Sequence, residues 1–395
     1  HEDRAANAYK RANLEEFIRN YDHKADHTAA AADRVPWPSR QISCRFDGVA
    51  NRFHNPLDGQ HTLPAEPRAL SVTDAEATEG NLQPQLDLPA DWDEGRKSRA
   101  HFFAHWRLWR RNCTENHPAL GFLPADTRHP DHTIWQHMGV VSALAATHNQ
   151  PTFLKIQLGP VQDFIAAARS TRDLWSASYL LSWLMATGLA ALAREIGPDA
   201  VIFPSLYGQP IFDLQFRDDL WAKAKTSHHG KASTAWDSLN HSAADLLTPN
   251  LPNLFLALVP APRAAELARL VETAIRDEWK NIAERVWDFS ADLITPAHSP
   301  ANAKDRFCAQ AARHLDLAWQ TTPWPASPDE ALATAEKLLP KTTDGHPHPT
   351  CDRLRKFLHY FCGTGPGTMP VEPVSYTHLR AHETKANLVC RLLLE

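Results

Sequence analysis

The run Gly159-Pro160-Val161-Gln162-Asp163, followed by Arg169, Arg172, Asp173, Ser176 and Ser178, carries the residues best suited to chemistry in this chain. A glycine–proline turn between a strand and a helix aims main-chain N–H groups at whatever sits above it, a position that phosphate favours. Arg169 and Arg172 add guanidinium groups, which bind phosphate in a fixed fork, and a small Ser176 permits close approach. Gly159, Pro160, Gln162, Asp163, Arg169, Arg172 and Ser176 are therefore the candidate nucleotide-binding residues. A purely structural reading stands beside this one. Gln162 and Asp163 would then satisfy the open donors of a first helical turn, and Trp175 and Tyr179 would be core. For Trp175 the core reading is the expectation.

Three further clusters contain ligand-type side chains. The stretch Ala25-Asp26-His27 to Asp33-Arg34 puts carboxylates and an imidazole on a helix, ligand types found in hydrolytic divalent-metal sites. Asp26 and Asp33 are seven apart and share a face, which is also what a solvated Asp–Arg face looks like. In Asp131-His132 to His137 the histidines are five apart and do not share a helical face, a poor zinc motif. Asp131 reads as the N-cap of the helix that follows, with the histidines packed behind it. Cys351 and Cys362 stand near His346, His348 and His359, without a Cys-x-x-Cys pair; two lone cysteines are more often free thiols.

The elements that must position these groups follow from periodicity. Leu14, Phe17 and Ile18 mark an early helical face, and Pro36 and Pro38 end that region. Residues 39–97 read as a long irregular connection. Helix resumes over Phe102–Trp109, residues 123–128 form a loop, and His132–His148 is helical. Phe153–Leu158 is a strand, Val161–Ile196 a helix broken near Thr171, and Ala200–Phe203 a second strand after Gly197-Pro198. Residues 205–250 read as irregular and polar. Asn253–Val259 is a third strand, Ala261–Trp287 an amphipathic helix with apolar residues at spacings of three and four, and Leu315–Thr321 a fourth strand. The order β-α-β-β-α-β is the split βαβ plan of a ferredoxin-like fold.

Length and charge set bounds. A chain of 395 residues can bury a sizeable core and hold two or three domains. The net charge of -5 gives no global basic signal for nucleic acid, so any such contact must come from local patches or partner subunits. Six scattered cysteines suit a reducing cytoplasm. Tyr179–Leu192, the longest apolar run, is too short for a membrane span, and no signal peptide is evident. The chain begins at His1, so a fragment is expected.

More than twenty consecutive residues, from Gly159-Pro160-Val161-Gln162-Asp163-Phe164-Ile165 through Arg172-Asp173-Leu174-Trp175 to Leu181, closely resemble the signature of the large subunit of the type III-B CRISPR RNA-silencing (Cmr) complex. The resemblance spans roughly residues 1 to 325. It implies an α+β protein, with a mainly helical HD-like N-terminal domain over 1–148 that carries the 39–97 insertion. A ferredoxin-like, palm or cyclase-type domain follows over 150–325, then the start of a zinc insert or linker over 326–373. The resemblance also implies metal ligands at His1, Asp26, Asp131 and His132, with His137 beside them, and zinc at Cys351 and Cys362. The His-Asp doublet of an HD site would precede residue 1. Residues 374–395 resemble a translated sequencing-adapter segment and are expected not to belong to the fold.

In this family the subunit converts ATP to cyclic oligoadenylates when target RNA binds, and an intact HD domain cuts single-stranded DNA with divalent metal (Mg or Mn). The implied partners are the other Cmr subunits, crRNA and target RNA, with no membrane, in the cytoplasm. No Gly-Gly-Asp-Asp occurs here, and the first strand ends in Gln157-Leu158-Gly159 without an acid. This stretch is therefore expected to bind nucleotide without cyclising it. The alternatives are a stand-alone HD phosphohydrolase on 1–148, which needs the missing doublet, and a non-catalytic assembly subunit, against which ATP binding would argue.

Overall fold

The computed structural model describes residues 25, 26, 28–30, 52–54, 62–64, 86–116, 121, 124–126, 129–148, 150–228, 231–294, 302–325, 328–339, 341–352 and 355. The expectations for His1, Asp33, Arg34, His359, Cys362 and the 374–395 tail lie outside these residues. The described chain is α+β with antiparallel sheets. It divides into two compact units: residues 85–103 with 146–323, and residues 1–84 with 104–145 and 324–395.

The first of these is built on a four-stranded sheet. Its strands are β1 (Pro151–Gly159), β2 (Val201–Phe203), β3 (Leu254–Pro260) and β4 (Asp316–Pro323), in the spatial order β4-β1-β3-β2 and antiparallel throughout. Helix α1 (Thr171–Ile196) connects β1 to β2, and α2 (Ala264–Ile294) lies on the path from β3 to β4. These elements sit within a residue or two of where periodicity put the strands. β3 is legible because its apolar residues are nearly continuous, as a strand covered on both faces requires, and β1 because its apolar residues alternate with Lys155 and Gln157.

Directly paired residues share a face of the sheet. Ile156 pairs with Phe255 and with Trp319, and the Trp319 indole N–H donates to Glu272 Oε2 of α2 at 3.3 Å. That face is therefore the one α2 covers, and Leu154, Ile156, Phe255 and Ala257 on it are fully buried. Lys155, Gln157, Ala318 and Gln320 belong to the other face, and the last three are exposed.

Helix α1 starts at a cap and ends at a glycine. Ser170 Oγ accepts from the Asp173 N–H at 3.2 Å, and the chain leaves the helix at Gly197 with φ 97°. A side chain at Gly197 would enter a strained backbone region and run into Asp199 Oδ1. At 26 residues α1 is long and apolar enough by composition to cross a membrane, longer than the apolar run read from sequence. Its Leu184, Met185, Leu189 and Leu192 are instead fully buried, and Gly188 lets α2 approach so closely that a Cβ would lie 2.7 Å from Ile275 Cδ1. The residues that would face lipid form the core against α2.

Two expectations of irregular structure are corrected. Residues 205–250 hold the helices Pro210–Leu214, Ala235–Leu239 and Ala243–Leu247, a π-turn at Arg217–Trp221, and a hairpin of Lys225–His228 with Lys231–Thr234. Leu86–Asp87 joins that hairpin as a third strand. Trp221, Phe212 and Phe216 give the segment a core, and Arg194 of α1 reaches it by donating to the Gln215 carbonyl at 2.8 Å. Within 39–97, Arg52–His54 pairs with Thr62–Pro64, and Glu94 begins a helix that continues to Asn116.

The second unit contains a small antiparallel pair, Pro124–Asp126 with His129–Thr133, and the helices Ile134–Ala145 and Pro328–Leu338. The helix expected from His132 starts at Ile134, and Asp131 is not its cap. Thr133 has that role: its Oγ1 accepts from the Gln136 N–H at 3.3 Å, while Gln136 Oε1 accepts from the Thr133 N–H at 2.8 Å. This is a reciprocal capping box, and Asp131 lies two residues earlier in the strand.

Candidate nucleotide site

Strand β1 delivers Gly159 to the end of the sheet, opposite Asp316 of β4. Asn253 closes this end: the Leu158 N–H donates to the Asn253 carbonyl at 2.7 Å, and the Asn253 amide donates to the Leu158 carbonyl at 3.0 Å. A cis Gly159–Pro160 peptide then turns the chain into the short helix Val161–Ala166. At Gly159 the nearest atom a Cβ would meet is Asp316 Cβ, at 3.9 Å. A Cβ there would make only an ordinary van der Waals contact, so the fold does not itself demand glycine.

The seven candidates lie along one continuous path. Gly159 and Pro160 are half-buried, while Gln162, Asp163, Arg169, Arg172 and Ser176 are exposed. Asp163 sits in the first turn of the six-residue helix Val161–Ala166, which is too short to gather a strong terminal dipole. The longer helix α1 fills its own first turn, since Asp173 Oδ2 accepts from the Arg169 N–H at 3.2 Å and lies 3.5 Å from Arg169 Nε. These contacts, the main-chain one first, hold the Asp173 carboxyl below the usual carboxylate value. Arg169 is thus partly engaged, whereas Arg172 has no ion pair or hydrogen bond among the described residues.

Trp175 is not core, contrary to the sequence expectation: it is 42% exposed. Its ring stacks on Tyr179 with centroids 5.4 Å apart and planes at 24°, and the Tyr179 hydroxyl donates to the Leu246 carbonyl at 3.1 Å. Helical spacing explains the difference. The buried stripe of α1 runs through Leu181, Leu184, Met185 and Leu189, so Trp175 lies before that stripe begins. Asp316 was also missed as a neighbour of Gly159, because strand register, which sequence does not display, brings the two together.

The same unit contains a buried acid–imidazole pair that sequence gave no sign of. His241 Nε2 lies 2.8 Å from Asp213 Oδ2, with side chains 8% and 1% exposed. The two are 28 residues apart.

In the second unit the structure joins two of the expected metal-site residues. Asp26 lies in helical backbone, and its Oδ1 is 3.0 Å from His137 Nε2. Asp131 and His132 occupy the strand His129–Thr133. Cys351 is buried and free, and burial is the main cause that pushes its thiol above the usual value. Among the described residues, no group of three His, Cys, Asp or Glu side chains converges to hold a metal ion. Neither divalent metal at Asp26 nor zinc at Cys351 is therefore supplied with a ligand set by these residues.

Comparison with known proteins bears on the same segment. Residues 153–284 match the family described as CRISPR-associated protein Cmr2, N-terminal. Over 156 residues the chain is 40% identical to the CRISPR system Cmr subunit Cmr2 of Pyrococcus furiosus, covering 39% of this chain and 15% of that protein. Over 116 residues it is 38% identical to the corresponding subunit of Saccharolobus solfataricus, covering 28% of this chain and 10% of the relative. The chain therefore spans only a small part of the curated relatives it matches. Among solved structures, the apo type III-B Cmr-beta complex gives a TM-score of 0.46 at 16% identity, over 86% of this chain and 35% of that one. The complex bound to cognate target RNA gives 0.44 at 14%, over 86% and 36%. The family match contains all seven nucleotide candidates and none of the six metal and zinc candidates. Residues 153–284 are thus the part of the chain that is similar to the N-terminal part of Cmr2, a CRISPR-associated protein.

Proposed function

We propose that the chain is the nucleotide-binding first palm, with adjoining helical segments, of a type III-B CRISPR effector large subunit, and that ATP is its ligand. The strand order β4-β1-β3-β2 with α1 and α2 as connections supports a ferredoxin-like palm. The observation that carries the nucleotide reading is the open end of β1. A Cβ at Gly159 would make only an ordinary contact with Asp316, and exposed Gln162 in the helix Val161–Ala166 and Arg172 and Ser176 in the first two turns of α1 follow it along the chain.

In this reading the Gly159–Pro160 backbone and Gln162 supply polar contacts, and Arg172 balances phosphate charge. Ser176, small and exposed one helical turn beyond Arg172, leaves room for the ligand. ATP supplies the adenylyl group when the intact subunit makes cyclic oligoadenylates. The protein's part at this palm is to bind and orient it. In the parent assembly, target RNA and other Cmr subunits are the partners, and the setting is the cytoplasm. The Asp26–His137 contact favours, as a second reading for the other unit, a remnant of an HD-type pocket.

The test is equilibrium ATP binding by the full chain, compared with Gly159→Ala. Because a Cβ at 159 meets only Asp316 Cβ at 3.9 Å, the variant is expected to keep its thermal midpoint while losing ATP affinity about tenfold or more. Absence of ATP binding by the unmodified chain, or an unchanged affinity in the variant, contradicts the proposal.

A further inference from the structure

The start of α1 presents a stripe whose first two members, Arg172 and Trp175, are exposed, and whose third, Tyr179, is half-buried. Arg172, Trp175 and Tyr179 are spaced three and four residues apart, so they stand one above another on the helix surface, about 5–6 Å apart at Cβ. Tyr179 covers one face of the Trp175 indole, at 5.4 Å between centroids, and is itself held by the Leu246 carbonyl. The indole is 42% exposed, and Leu174 and Leu247, both exposed, add apolar surface in the same unit. An aromatic ring braced on one side and still 42% exposed can serve as a stacking platform, because part of the entropy of fixing its orientation is already lost. At the head of the stripe Arg172 is exposed and without a partner among the described residues.

A flat apolar plane one helical turn from an uncompensated guanidinium fits a ligand that is flat at one end and anionic at the other. We infer that Trp175 and Arg172 form the base-recognising half of the nucleotide site, with a nucleobase stacked on the open face of Trp175 and a phosphate held by Arg172. This rests on the nucleotide reading proposed above and extends the site from the Gly159 turn to the second turn of α1. A protein partner would also cover Leu174 and Leu247. The unpaired Arg172, with Arg169 91% exposed beside it, favours the anionic ligand.

The experiment compares ATP with inorganic tripolyphosphate on the full chain and on Trp175→Ala, Trp175→Phe and Arg172→Ala. The unmodified chain binds ATP more tightly than tripolyphosphate. Trp175→Ala lowers ATP affinity about tenfold, the scale of one lost base stack, and leaves tripolyphosphate unchanged. Trp175→Phe restores most of the loss, and Arg172→Ala weakens both ligands. Equal ATP affinity in Trp175→Ala overturns the inference while the nucleotide reading stands, and would leave the patch to a protein partner. Equal loss of both ligands in Trp175→Ala and Trp175→Phe also overturns it. If the unmodified chain binds no ATP, both proposals fall.

Discussion

Asp173 shows how much of the α1 N-terminus is decided by single side chains. Its carboxylate accepts from the Arg169 N–H while its own N–H donates to Ser170 Oγ, so Arg169, Ser170 and Asp173 together close the turn. Those contacts depress the Asp173 pKa. A carboxyl with a lowered folded-state pKa adds stability above its unfolded value, and that contribution is lost as pH falls through the folded value. Protection factors of the first α1 amides, measured by hydrogen exchange, are therefore expected to drop below about pH 4. In Asp173→Asn they are expected to be low at neutral pH already and insensitive to acid. A drop of the same size in both proteins would show that another group controls this turn. The Ser170-x-x-Asp173 spacing was visible in the sequence. The exposure of Trp175 two residues later was not, because Trp175 continues an apolar run with Leu174 and Tyr179 while the buried stripe of the helix begins only at Leu181.

At the scale of elements, the α1–α2 crossing sets the packing of the core. Gly188 allows it, since a Cβ there would lie 2.7 Å from Ile275 Cδ1 and 3.0 Å from Val271 Cγ1. Gly188→Leu is expected to destabilise the fold by about 1–3 kcal/mol, the usual cost of overpacking. Ile275→Ala in the same chain should return part of that loss. A thermal midpoint unchanged by Gly188→Leu would mean that the helices do not pack as described. The strands β1 and β3 and both long helices were legible because each repeats its apolar pattern over many residues. The 205–250 segment was not, since its helices are about one turn long and periodicity needs more. Its capping signals were nonetheless present. Thr234 with Asp237 and Ser242 with Asp245 both cap helices there. The Asp213–His241 pair had no signal at all, being a product of how that segment folds back on itself.

For the whole molecule, a net charge of -5 means that long-range attraction does not bring nucleotide to this chain. The proposed ATP site therefore relies on the local arrangement at the end of β1 and the start of α1. The family match and the seven candidate residues coincide in this one unit. The HD and zinc readings depend on side chains that do not converge on a metal among the described residues. The measurement that bears most directly on this account is photocrosslinking of an azido-ATP to the full chain, followed by peptide mapping. The account predicts a label within residues 159–179 that excess ATP competes away. A competed label confined to the other unit, or no competed label at all, would contradict it.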